Sequence, residues 1–229
     1  MEPQTLDVGG VERVYWLAPA SEPCAPLLVV LHGTGLDGPR MAAWTGIAER
    51  GPAAGFAAVF PDAVGRVWDD GVAGRSDGVD DAAFVAALIN RLVAQGRARA
   101  GVIVLVGLSN GASFAERLAR HGLVASAGVV LVCGTAREAS RRQAERPVRP
   151  IAVLCLAGTA DPMLPWNGGR GIGPLAWMGR RRARRLLLEP GRREAVAPEV
   201  LAADCAAVNG CAAAPAKERP PMASSPSSG

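Results

Sequence analysis

Apolar residues fall along this chain in short unbroken runs separated by polar, glycine-containing connections. The runs are Leu27–Leu31 (LLVVL), Ala57–Phe60 (AAVF), Val102–Val106 (VIVLV), Ala127–Val132 (AGVVLV) and Ile151–Leu156 (IAVLCL). A strand with one wet face alternates between apolar and polar, whereas a strand covered on both faces need not. The continuous runs therefore predict the central strands of a mostly parallel sheet. Val11–Leu17 (VERVYWL) does alternate and predicts an antiparallel edge strand. Between the runs the period lengthens. Asp80–Val93 places Phe84, Leu88 and Leu92 four residues apart behind an Asp80 or Asp81 cap, the pattern of a helix with one apolar stripe. Asn110–Arg120 reads as a second helix, stopped at His121-Gly122. Strands alternating with helices predict an α/β domain with helices on both faces of the sheet.

One connection carries chemistry. The run ending at Val106 passes straight into Gly107-Leu-Ser-Asn-Gly111, GLSNG, and then into the second helix. In a GxSxG turn the serine occupies a sharp bend between strand and helix, and the glycines let helix and backbone approach closely. The hydroxyl is thereby raised above the carboxyl edge of the sheet. Ser109 has both flanks that the motif requires and is the candidate nucleophile. The alternative is a glycine-rich turn that happens to hold a serine. The helix beginning at Asn110 also aims free N–H groups and a positive dipole end at anything bound beside Ser109, so the Asn110 amide is a candidate oxyanion donor.

The second donor is expected in the loop after the first central strand. That loop reads His32-Gly33-Thr34-Gly35 and resembles the HG-type oxyanion motif of α/β-hydrolases. Thr34 is the candidate amide, with His32 and Gly33 lining the substrate side. His32 reads as a residue that orients this loop rather than as a base. A carboxylate just past a later strand could accept the Nδ1–H of an imidazole, and Asp161 in Ala157-Gly-Thr-Ala-Asp-Pro has that position. A loop-capping aspartate is the alternative. Asp204, inside a helical pattern, is a poorer choice.

Five ordered blocks, LLVVLHGTG, GVDDAAFVAALI, GLSNGASFAERLA, AGTADPMLPWNGG and AVNGC, resemble the polyhydroxybutyrate depolymerase and feruloyl esterase group of α/β-hydrolases from about Val11 to Cys211. The resemblance implies a serine carboxylic-ester hydrolase with Ser109 as nucleophile and Asp161 as acid, acting on small or polymeric esters. It implies no cofactor and no metal. Trp166, in WNGG, corresponds to a loop bordering the substrate cleft; simple packing is the alternative.

The chain departs from that pattern in one respect. The order in the family is Ser, Asp, His, yet no histidine follows Asp161, and the sequence holds only His32 and His121. Twelve residues of helical rise place His121 about 15 to 18 Å from Ser109. Relatives continue past the Asn209-Gly-Cys211 block with a further strand and a Gly-Gly-His loop. The expectation is therefore a chain whose last strand and helix are absent, with one sheet edge unpaired, Cys211 without its partner, and an alternative reading as a catalytically impaired remnant.

Composition narrows the rest. The chain has 229 residues, 49% of them hydrophobic and 20% charged, enough for one core. One α/β-hydrolase domain is expected over 1–214, followed by a disordered Pro/Ser-rich tail over 215–229. The net charge of +4 is concentrated in Gly179–Arg185 (GRRRARR), with no interleaved aromatics, so a solvated face is expected and a nucleic-acid partner is not. No apolar run approaches the roughly 20 residues of a membrane span. The N-terminus has no apolar h-region, so the chain as written reads as cytoplasmic, the alternative being the extracellular or periplasmic setting of many relatives. Five cysteines without CxxC spacing indicate neither a complete disulfide framework nor a zinc site, and Cys133 and Cys155 are expected to be buried packing thiols. Composition says nothing about oligomeric state.

Overall fold

The computed structural model of the chain describes residues 1–72, 78–161, 164–169 and 194–211. Its seven strands are β1 (Pro3–Val8), β2 (Val11–Ala18), β3 (Leu27–Leu31), β4 (Ala57–Pro61), β5 (Ile103–Leu108), β6 (Gly128–Val132) and β7 (Ala152–Leu156). They form one sheet in the order β1-β2-β4-β3-β5-β6-β7. The five strands from β4 to β7 are parallel, and β2 joins β4 antiparallel.

The helices are α1 (Gly38–Thr45), α2 (Ile47–Ala53), α3 (Asp81–Ala94), α4 (Asn110–Arg120), α5 (Glu138–Gln143) and α6 (Pro198–Val208). Side chains alternate across each strand, so every central strand feeds two cores. One core joins Leu27, Val29, Ile103, Leu105 and Leu131 to Phe84 and Leu88 of α3, Phe114 of α4 and Leu201 of α6. The other, on the opposite face, packs Val30, Ala58, Phe60 and Val106 against Met41 and Ala42 of α1. This double coverage is why the runs are continuous. It thins at β7, where Leu154 and Leu156 on the second face are 53% and 50% exposed.

The expected sheet with helices on both faces is the one found, and the two anticipated helices are α3 and α4. The Asp80 carboxylate caps α3 by accepting the Ala83 N–H. The placement of VERVYWL at the edge is corrected. β1 lies outside β2, joined to it through Gly9 and Gly10 at φ 63° and 81°, a backbone only glycine adopts readily in two successive residues. With few apolar residues, PQTLDV gives no strand signal of its own. The reading of Cys133 as buried is also corrected. It lies one residue past the end of β6 with φ 46° and is exposed, while Cys155 is half-buried, with its thiol pushed up by burial and then by Cys133. The arginine run 179–185 and the tail 215–229 lie outside the described residues, as does the expected domain end at 214. Among the described residues no helix is long and apolar enough to cross a membrane.

Candidate active site

β5 ends at Leu108, and the chain then turns so sharply that Ser109 takes φ 53°, ψ −113° before α4 begins. A left-handed φ on a residue with a Cβ is strained, and such strain persists only where surrounding structure enforces it. Several contacts enforce it here. The Ser109 N–H donates to the Val132 carbonyl at 2.9 Å, and the Ser109 carbonyl accepts the N–H groups of Ala112 and Ser113. The flanking glycines are sterically required. A Cβ at Gly107 would lie 2.3 Å from the Gly111 carbonyl oxygen, and one at Gly111 would lie 2.4 Å from that of Leu31. Gly134 is needed for the same reason, because its Cβ would fall 2.6 Å from the Ser109 carbonyl oxygen. The result is a half-buried serine held at the carboxyl edge of the sheet.

The loop after β3 closes on the same point. A Cβ built on Gly33 would stand 3.6 Å from the Ser109 Cβ, so this loop and the serine are close neighbours with room for little more than a methyl group between them. Among the described residues neither the Thr34 N–H nor the Asn110 N–H donates a hydrogen bond to the protein.

His32 is wholly buried, so it presents no surface to a substrate, contrary to its place in the expected substrate-side set. Its Nε2 accepts the Ala63 N–H at 3.1 Å, and its Nδ1 lies 2.8 Å from the Gly33 carbonyl oxygen. An acceptor Nε2 assigns the proton to Nδ1, which then donates to Gly33. Burial lowers the pKa of this imidazole and keeps it neutral. Both nitrogens are committed to the main chain.

Asp161 lies in the loop after β7, a strand two places across the sheet from β5, about 10 Å by strand spacing. Its Oδ1 accepts the Leu164 N–H at 3.1 Å. Asp204 is an ion-pair residue instead, 3.0 Å from Arg141 Nε and 3.5 Å from the buried Arg120 guanidinium. His121 ends α4 at the opposite pole from Ser109, and its Nε2 lies 3.0 Å from Ser140 Oγ. Trp166 donates its indole N–H to Glu199 at the start of α6.

Two features near these loops had no signal in the sequence, a paired Asn110–Trp68 contact and a carboxylate. The Asn110 side chain and Trp68 are both buried and bond to each other across 42 positions of sequence, a distance at which no local spacing informs. Asp62, just past β4, is the other. It accepts the Gly38 N–H at 2.6 Å, and burial raises its pKa to about 6, the neighbouring Asp37 adding to the effect.

Residues 13–149 match the family model described as Esterase PHB depolymerase. The chain is 32% identical over 169 residues to NocK of Nocardia uniformis subsp. tsuyamanensis, a protein named as a proposed esterase; the match takes in 70% of this chain and 48% of NocK. The chain thus spans about half the length of that curated relative. Among solved structures, esterase 2 of Thermogutta terrifontis, phosphoramylated by tabun, superposes with a TM-score of 0.51 at 17% identity over 72% of this chain and 74% of the other. Native pOPH superposes at 0.52 and 15% identity over 70% and 69%. At such identities these two speak for the α/β-hydrolase fold.

Proposed function

The chain belongs to the Esterase PHB depolymerase family, and from that membership we propose that it is a carboxylic-ester hydrolase whose nucleophile is Ser109. The observation that supports the reading is the left-handed serine at the strand-to-helix turn, with the Thr34 and Asn110 amides, one in the neighbouring loop and one in the next residue, unengaged among the described residues. Ser109 Oγ attacks the acyl carbon, and the carbonyl oxygen gathers negative charge that the two N–H groups hold. The ester C–O bond breaks, the alcohol leaves with the proton given up by the serine, and water then cleaves the acyl-enzyme to release the acid and restore the hydroxyl. Each fixed amide is worth about 3 kcal/mol of barrier by comparison with serine proteases. Short-chain acyl esters, hydroxyalkanoate oligomers and feruloylated sugars are the substrate classes that fit the family.

Asp161 is the carboxylate assigned to orient an imidazole, yet neither imidazole of this sequence serves the serine: His32 is committed to the main chain and His121 lies at the far end of α4. That observation favours a second reading, in which the cleft and the nucleophile are retained and turnover is slow. Both are tested by labelling with a fluorophosphonate probe and by hydrolysis of p-nitrophenyl acetate and butyrate, each with Ser109→Ala as reference. Ser109-dependent hydrolysis establishes the esterase. Labelling at Ser109 without turnover establishes the second reading. A chain labelled and hydrolysing no differently from Ser109→Ala has no nucleophile at this position.

A further inference from the structure

The two oxyanion amides lie on different elements, Thr34 in the loop after β3 and Asn110 at the head of α4, 76 positions apart in sequence. An oxyanion hole works only if its donors keep a fixed separation before charge develops. We propose that Trp68, clamped by the Asn110 side chain, is a positioning residue that ties these two amides into one rigid unit. The assignment rests on the esterase reading above.

The contacts form a continuous circuit from Asn110 to the Gly33–Thr34 peptide. The Asn110 carboxamide accepts the Trp68 main-chain N–H at 2.8 Å and donates to the Trp68 carbonyl at 3.1 Å, fixing that residue at both main-chain groups as a strand partner would. The same Asn110 supplies the first amide, so the donor and the clamp are one residue. Trp68 then reaches the other loop, its indole N–H donating to the His32 carbonyl at 3.0 Å. The ring is held in plane by stacking on Phe114 of α4 at 5.1 Å and 6°, and it leans on the His32 imidazole at 5.0 Å.

From His32 the circuit passes to Thr34. The protonated Nδ1 donates to the Gly33 carbonyl, which also accepts the Leu36 N–H at 3.1 Å. A trans peptide is planar, with its N–H directed opposite to its C=O. Fixing the Gly33 carbonyl therefore fixes the direction of the Thr34 N–H. Asn110, Trp68 and His32 are all at or below 1% exposure, so water does not compete for these bonds. None of the three side chains need touch the substrate.

The test separates positioning from folding and from the nucleophile assignment. Trp68→Phe keeps a ring on Phe114 and removes only the donor to His32. Asn110→Ala keeps the oxyanion amide, which is main chain, and removes only the clamp. Trp44→Phe, at a site 71% exposed on α1, is the control. In the native background the rate of fluorophosphonate labelling is measured and the adduct located by peptide mass. In a Ser109→Cys background, acylation of the thiol by p-nitrophenyl acetate, which needs the oxyanion amides, is compared with alkylation by iodoacetamide, which does not.

Expected is a fall of about ten-fold or more in labelling and acylation for either variant, with alkylation within about two-fold of its parent and the control unchanged, in line with the cost of donor misplacement. Should one variant fail to fold, the other carries the same measurement. Ser109 labelling at parental rates in Trp68→Phe and Asn110→Ala overturns the positioning role and leaves the esterase reading standing. Acylation and alkylation falling together show a merely structural role and overturn it as well. Absence of any Ser109 adduct in the parent removes the nucleophile, and this assignment with it.

Discussion

Gly111 of α4 is seated directly on the main chain of Leu31, so close that a methyl group on it would come within 2.4 Å of the Leu31 carbonyl oxygen and 2.5 Å of that of His32. This contact brings the helix that carries Ser109 onto the strand that carries the oxyanion loop. The atoms met are backbone and cannot swing aside. Gly111→Ala is expected to destabilise the fold by about 3 kcal/mol through overpacking. The urea unfolding midpoint measures the loss, and an unchanged midpoint would mean that helix and strand are less tightly joined than described.

The strain at Ser109 has the opposite sign. A residue with a Cβ held at φ 53° costs roughly 1–3 kcal/mol, and a glycine there escapes it at an entropic cost of about 0.5–1. Ser109→Gly is therefore expected to gain about 1 kcal/mol in unfolding free energy while abolishing probe labelling, whereas Ser109→Ala abolishes labelling with no such gain. Equal stability of the two variants would contradict the strain.

Asp62 sets a pH dependence. Its carboxyl titrates near 6 in the folded chain against 3.8 for an unperturbed aspartate, burial being the larger cause. From about pH 4 to about pH 6 the unfolded chain ionises this group while the folded chain holds its proton, so the native state loses relative stability as pH rises through that window. Asp62→Asn keeps the acceptor for the Gly38 N–H and removes the ionisation. The variant is expected to match the parent at pH 4 and to melt about 2–4 °C higher at pH 7.5, a figure discounted for partial exposure. Thermal unfolding followed from pH 4 to 8 checks this, and a gap that widens toward acid would have the wrong sign.

Leu154 and Leu156 stand on the thinly covered face of β7, the last strand of the sheet among the described residues. Exposed apolar side chains beside an open strand edge favour association between chains. Leu154→Lys is expected to leave unfolding within about 0.5 kcal/mol of the parent and to lower light scattering at high protein concentration. A large loss of stability would show that Leu154 is covered.

What the sequence determines here is local. The covering of central strands on both faces is written in continuous apolar runs, and the two helices in a four-residue repeat with an aspartate or a glycine turn at the end. The GLSNG turn is legible because strand, glycine spacing and helix all lie within about a dozen positions, where backbone sterics alone restrict the outcome. Ser109 could thus be singled out, along with the amide that follows it and the loop that would face it.

Only the tertiary structure decides what surrounds them. β1 escapes notice because pairing across Gly9-Gly10, not its own composition, makes it a strand. Cys133 is exposed because the chain turns left-handed one residue beyond β6, so an apolar run does not fix the fate of its last member. His32 is fastened to Ala63 across 31 positions, Trp68 to His32 across 36, and Asn110 to Trp68 across 42. Periodicity carries no information over such separations. These partners meet because packing of helices on the sheet brings distant loops to one edge, where each buried donor and acceptor must find the other or bear the cost of lost hydration.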